Sequence, residues 1–193
     1  MSATGEARRT RVPAAERRRQ LIDAAVVEFA RGGLHGTAVS QVARRVGVAQ
    51  PYVFSLFPTK LDLFLAAAES CFERVGRVFE EAAAAYARGE APADCEDVMA
   101  AMGRAYTQLL ADDRDSLMMQ LQSYAACDDE LVRSQVRRCF ASLVAQLREL
   151  AGAADETIDD FLRHGMALNV AAALGVPDLA AESDWVREEL DAH

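Results

Sequence analysis

Helix breakers are few in this chain, and they are clustered. Its 193 residues hold five prolines and eleven glycines. Between the clusters run long stretches rich in alanine, leucine, arginine and glutamate, all good helix formers. No run alternates Val, Ile or Thr with polar residues, as a half-buried strand would. The chain is therefore expected to be all-α. Hydrophobic residues make up 51% of it, enough to bury a core and too many for disorder over the whole length.

Apolar spacing and breakers together predict the order of elements. Residues 1–13 read as a basic arm containing Arg8, Arg9 and Arg11. A first helix is expected over 14–31, with Leu21, Ile22, Ala25, Val26, Phe29 and Ala30 at helical spacing and Gly32-Gly33 ending it. Thr37 is placed to cap the next helix, whose inner face is Val39, Val42, Ala43 and Val46. Gly47 stops that helix. A third, over 50–57, takes Pro51 in its first turn, where no amide donor is needed, and ends at Pro58. Thr59 with Asp62 three residues on has the form of a capping box opening a long helix. Helices are then expected over 60–88, 94–111, 114–126, 129–151, 156–174 and 178–190. The reading divides the chain into the arm, a helix-turn-helix domain over 14–66, and a larger helical domain over 67–193.

Charge is distributed unevenly. Residues 1–60 carry ten Lys/Arg against four Asp/Glu, while 61–193 carry eleven against twenty-six, so a head of net +6 precedes a body of net −15. That split fits a head that meets a polyanion. A chance cluster of arginines in a charged helix fits the same numbers.

Several function classes find no support. The longest apolar runs, 63–68 and 82–87, fall far short of the ~20 residues of a membrane span, and the N-terminus shows no signal-peptide pattern. A cytoplasmic protein without a membrane partner is expected. Cys71, Cys95, Cys127 and Cys139 form no CxxC pair, and with three histidines they match no zinc spacing. No metal and no cofactor is expected. There is no glycine-rich phosphate loop and no nucleophile elbow, and the pairs Asp128-Asp129 and Asp159-Asp160 sit where helix starts favour carboxylates. An all-α enzyme is thus the weaker alternative, and a helical adaptor that binds only protein is another.

Two short helices joined by a glycine turn form a helix-turn-helix. In such a motif the second helix enters the DNA major groove and the first crosses the backbone. The outward residues here are Ser40, Gln41, Arg44, Gln50, Tyr52 and Ser55, donors and acceptors suited to base edges and phosphates. Gln50 and Tyr52 open the second helix and are expected to touch DNA directly, although Tyr52 could instead pack on the first helix. Phe54, without a hydroxyl, is expected in the core. Arg44 and Arg45 face either phosphate or solvent. Lys60, the chain's sole lysine, opposes the dipole at a helix start, which argues against a stabilising role there. Beside the free amides of that helix start it reads as a phosphate clamp.

The stretch 36–64, GTAVSQVARRVGVAQPYVFSLFPTKLDLF, resembles the DNA-binding signature of the TetR (tetracycline repressor) family of bacterial regulators. Arg19-Gln20, Leu21 to Ala25, Phe29 and Gly32 are similar to that family's first helix, so the resemblance covers about residues 15–66. It includes the late Phe57-Pro58-Thr59-Lys60 element. Three positions depart from the pattern: Ala38 and Ala49 stand where the family usually has hydroxyl residues, and Phe54 where it has tyrosine. The resemblance implies a homodimer that binds a palindromic double-stranded operator, most often as a repressor, and is released by a small-molecule effector. It adds Thr37, Pro51 and Thr59 to the residues expected at the DNA.

By the same resemblance the second domain holds the effector pocket. Candidate lining residues are Met99, Met102, Tyr106, Met118 and Leu121, together with Gln122, Tyr124, Phe140, Phe161 and His164. Methionine suits pockets that adapt to varied apolar ligands. Each is also an ordinary core residue at helical spacing. The last two helices would pair with those of a second subunit through Phe161, Met166, Val170 and Leu174. Gly165 and nearby alanines would allow close approach, and Trp185 would serve as the interface anchor.

Overall fold

A computed structural model describes residues 13–180 and 182–191. These residues form α-helices and connecting turns, without strands: α1 (Ala14–Gly36), α2 (Val39–Val46), α3 (Gln50–Leu56), α4 (Lys60–Ala87), α5 (Val98–Asp112), α6 (Arg114–Ala125), α7 (Glu130–Ala151), α8 (Asp155–Leu174) and α9 (Asp184–Asp191). The all-α expectation holds. The arm, with Arg8, Arg9 and Arg11, lies outside the described residues.

The first three helices close around Leu21, Phe29, Val42 and Val53, all fully buried. Phe29 meets Phe64 of α4 edge to face, with ring centroids 5.0 Å apart. The glycine turn forms as expected. Gly47 takes φ 71, ψ 36, a left-handed conformation that suits glycine, and Val48 N–H bonds the Ala43 carbonyl at 3.0 Å. At the start of α4, the Thr59 hydroxyl accepts from Asp62 N–H at 3.0 Å while the Asp62 carboxylate accepts from Thr59 N–H at 2.9 Å. This is the reciprocal cap that the sequence predicted.

Boundaries differ from expectation in places. α5 begins at Val98 rather than 94, where the Asp97 carboxylate accepts from Ala100 N–H at 2.7 Å and caps the helix. Gly33 leaves helical geometry at φ 62, ψ −174, where the sequence expected the first helix to end, and a short helical stretch to Gly36 follows the kink and buries Leu34. Thr37 does not cap α2. It is buried, and its hydroxyl donates to the Glu28 carbonyl at 3.1 Å. Gln41 turns back instead and accepts from Ala38 N–H at 2.9 Å. The last helix begins at Asp184 rather than 178, because Asp178 organises a turn first. Its carboxylate accepts from Ala180 N–H and the Ser183 hydroxyl, and its carbonyl accepts from the Trp185 indole at 3.0 Å.

The larger helices are tied by side-chain caps. Asp113 caps α6 through Ser116 N–H and pairs with Arg74 of α4. Arg114 donates to the Ala172 and Ala173 carbonyls, both at 3.1 Å, at the C-terminal end of α8. There a cation also complements the helix dipole. The divide expected between residues 66 and 67 falls inside α4, whose buried residues run from Leu63 to Ala83. α6 packs along α1, so head and body share a continuous core.

Candidate nucleic-acid interface and interior cavity

Charge at the head begins with what is missing. Between Glu28 and Asp62 the sequence has no carboxylate at all, although the chain holds 30 acidic residues. This stretch contains α2, the glycine turn and α3. Its basic residues are Arg31, His35, Arg44, Arg45 and Lys60. Arg45 is held by Glu28 at 2.7 Å, whereas Arg44 is exposed on α2. An anion approaching α2 and α3 therefore meets no repelling side chain there.

On α3, Val53 is fully buried and Leu56 half-buried, so the helix presents its other face to solvent. Gln50, Pro51, Tyr52 and Ser55 are exposed, as is Ser40 on α2. The Ser55 hydroxyl donates to the Tyr52 carbonyl at 2.6 Å. Tyr52 is 39% exposed. Phe54, expected in the core, is 37% exposed, because Val53 and Phe57 already occupy the inward positions. Phe57 is covered by the Arg18 guanidinium, 4.7 Å from the ring centroid. Gln41 is half-buried and engaged in its cap, Thr59 is exposed, and Thr37 is withdrawn from the surface.

Lys60 has a structural task that the sequence did not reveal. Its ammonium reaches back to the end of α1 and donates to the His35 carbonyl at 3.2 Å and the Thr37 carbonyl at 3.3 Å. Unfavourable at the start of its own helix, the charge is favourable at the carbonyl end of another.

The body holds a small, partly open void of about 30 Å³, room for one or two waters. Phe72, Val75 and Phe79 of α4 form one wall, and Phe161, Leu162, Gly165 and Met166 of α8 another; Tyr106, Gln120, Tyr124, Phe140 and Leu143 complete it. Phe79 meets Phe161 at 5.6 Å and Tyr106 at 5.8 Å between centroids. Two phenols supply polarity. Tyr106 donates to the buried Asn169 carbonyl oxygen at 2.5 Å, and Tyr124 accepts from the Gln120 amide at 2.8 Å. Burial pushes the Tyr106 phenol up to about 12 and raises that of Tyr124. Among the described residues no charged side chain lines the void.

Four of the residues expected in a pocket gather here: Tyr106, Tyr124, Phe140 and Phe161. Met99 and Met102 pack in the core, Met118 and Leu121 pack against it, and His164 is exposed. Gln122 points the other way, toward Gly33 of α1. The α4 wall escaped sequence reading because Phe72, Val75 and Phe79 look like any apolar helix stripe.

Met166, Val170 and Leu174 recur every fourth residue along α8 and are 37%, 42% and 63% exposed. They form one apolar stripe on the surface. Phe161, one turn earlier, is half-buried and lines the void. Gly165 lies against Tyr106 and Gly103 against Phe161, so these glycines serve the α5–α8 contact within the chain. Trp185 is half-buried, with its indole bonded to Asp178.

Among the described residues no helix is long and apolar enough to cross a membrane, and no group of three or more His, Cys, Asp or Glu could hold a metal ion.

Residues 21–75 match the family model described as bacterial regulatory proteins, tetR family. Over 64 residues, 33% of this chain, the sequence is 41% identical to the HTH-type transcriptional activator FasR of Mycolicibacterium smegmatis; the match spans 29% of that relative's length. Among solved structures, a TetR family member from Streptomyces coelicolor A3 superposes with a TM-score of 0.68 at 24% identity, covering 92% of this chain and 97% of that one. The multidrug binding protein EbrR complexed with ethidium gives a TM-score of 0.62 at 23% identity, covering 93% and 99%. A TetR-like transcriptional regulator from Rhodococcus sp. RHA1 gives 0.58 at 21%, covering 84% and 85%. At these identities the structural likeness is one of fold.

Proposed function

From this chain's membership of the TetR family of bacterial regulatory proteins, we propose that it is a cytoplasmic, dimeric transcriptional regulator rather than an enzyme. In this reading it binds a palindromic operator through α2 and α3 and is released by a small-molecule effector. The observation that carries the reading is the carboxylate-free helix-turn-helix surface, with Gln50, Tyr52 and Arg44 exposed on it. Ser40, Pro51, Ser55 and Thr59 surround these contacts. Lys60 reaches phosphate from the α1–α4 joint. Residues 14–66 form the reading head, and the remainder forms the sensing and pairing body.

Two copies pair through the α8 stripe of Met166, Val170 and Leu174, with α9 alongside. Pairing sets the two α3 helices at a fixed spacing, as two half-sites require. An effector enlarges the void between α4 and α8. α6 carries void-lining Gln120 and Tyr124, and it also carries Gln122 against the α1 kink. Displacing it therefore moves the head. A ligand shifts the equilibrium only by its differential affinity for the two states. A 5- to 150-fold change in operator affinity is the usual range.

We propose repression, with the operator overlapping a promoter. FasR is named an activator, and in physical terms the sign depends on where the operator lies.

The test is operator binding by the full chain across a salt series. Affinity should fall steeply as salt rises, because phosphate neutralisation releases counterions. A salt-independent affinity would sink the reading.

A further inference from the structure

Gln50 and Phe54 are four residues apart on α3, and both are exposed. Side chains at that spacing stand side by side on one flank of a helix. Tyr52 lies on the opposite flank, and Val53 packs inward. α3 has the sequence Gln-Pro-Tyr-Val-Phe-Ser-Leu, with no charged side chain of either sign.

That inventory is selective. In the major groove, guanine is read by Arg or Lys, and the cytosine amino group by Asp or Glu. Adenine is read by Asn or Gln, and thymine by apolar contact with its methyl group. α3 lacks both readers of a G·C pair and carries both readers of an A·T pair. Its one hydroxyl besides the phenol, Ser55, already donates its proton to the Tyr52 carbonyl. On α2 there is no carboxylate to read cytosine, and Arg45 is engaged by Glu28. Phe54 adds the second half of the case. Inward positions on α3 are filled by Val53, with Phe57 buried just beyond the helix, so the Phe54 ring keeps 37% of its surface open to solvent. An apolar ring at that place gains burial only when something apolar covers it. Beside an adenine-reading amide, the apolar object in a major groove is a thymine methyl.

Resting on the operator-binding reading above, we propose that the Gln50–Phe54 flank of α3 selects A·T base pairs in each half-site. Gln50 pairs with the adenine N6/N7 edge and Phe54 covers the methyl of a neighbouring thymine. The specificity of this head is then set by an amide and a ring, while arginine and lysine supply charge to the phosphates.

The experiment selects binding sites from random duplex DNA with the full chain, its Gln50→Ala variant and its Phe54→Ala variant, each first shown to fold by circular dichroism. The positions that lose preference in the two variants should be A·T in the wild-type motif. Replacing the thymine at the Phe54 position by deoxyuridine removes one methyl group, and wild-type binding should weaken about three- to fourfold. Phe54→Ala should be indifferent to that change, and Phe54→Leu should keep part of it. G·C pairs at the variant-sensitive positions would overturn the proposal, as would an equal loss on deoxyuridine substitution in wild type and Phe54→Ala. A wild-type motif that no Gln50 or Phe54 variant alters would overturn it too, while leaving operator binding intact. Failure to enrich any motif would remove the operator-binding reading itself.

Discussion

Gly33 and Gln122 face each other where the head meets the body: a Cβ on Gly33 would stand 2.7 Å from the Gln122 side-chain oxygen. The contact joins the kink in α1 to the helix that carries Gln120 and Tyr124 into the void. At φ 62, ψ −174 the Gly33 backbone occupies a region open almost only to glycine. Gly33→Ala should therefore cost about 1–3 kcal/mol of stability. The end of Gln122 can swing aside, so the double variant Gly33→Ala, Gln122→Ala should recover little. Urea unfolding of the three proteins decides this. Full recovery in the double variant would place the strain in the side chains rather than the backbone.

The head was largely legible in the sequence, and the reason is local. Gly47, Pro51 and the Thr59–Asp62 cap each act within four residues, so their chemistry fixes a turn wherever the chain goes afterwards. What escaped was decided by distant partners. Lys60 binds carbonyls more than twenty residues earlier. Thr37 reaches back nine residues to Glu28. Phe54 is outside because Val53 and Phe57 fill the inward places. In the body, helix existence followed from periodicity, but periodicity gives no partner for a stripe. Phe161 therefore read equally well as pocket, core or interface, and it is the packing of α4, α5 and α8 that brings it to the void.

Lys60 should show two separable effects. Lys60→Ala removes a cation from the carbonyl end of α1, which should cost about 0.3–1 kcal/mol in denaturant unfolding. If the ammonium also meets phosphate, the magnitude of the salt slope of operator binding should fall by about one. A stability loss with an unchanged slope would confine Lys60 to the α1–α4 joint.

Association should depend on the α8 stripe more than on Trp185. Leu174 is 63% exposed, and a charge placed there would be desolvated in a paired state. Leu174→Glu should shift the chain toward monomer in sedimentation at micromolar concentration and weaken operator binding with it. A dimer that survives Leu174→Glu and Val170→Glu together would move the interface elsewhere.

The thiols should differ in reactivity. Cys71 is buried, and that burial pushes it up to about 12, so its reactive thiolate is scarce at neutral pH. Iodoacetamide at pH 8 should leave Cys71 unmodified in the folded protein and modify it in urea, as read by peptide mass spectrometry. Rapid labelling of Cys71 without denaturant would show that α4 opens locally.

Tyr106 links the void to alkaline stability. Its phenol donates to Asn169, which is almost fully buried. Tyr106→Phe removes the donor and leaves the Asn169 oxygen bare, at a cost of about 1–3 kcal/mol near pH 7. The phenol's ordinary value near 10 is raised in the folded chain to about 12 because burial disfavours phenolate. Its contribution is therefore fully present below pH 10 and is lost as pH rises from 10 through 12. The phenylalanine variant has no such group, so the stability gap between the two proteins should narrow over that window. Cys71 titrates over part of the same range, but it is common to both proteins and cancels in the difference. Urea unfolding at pH 8, 10 and 11.5 measures the gap. A gap that stays constant across the three would mean that Tyr106 ionises in the folded chain as readily as in the unfolded one, and that the void is open to water.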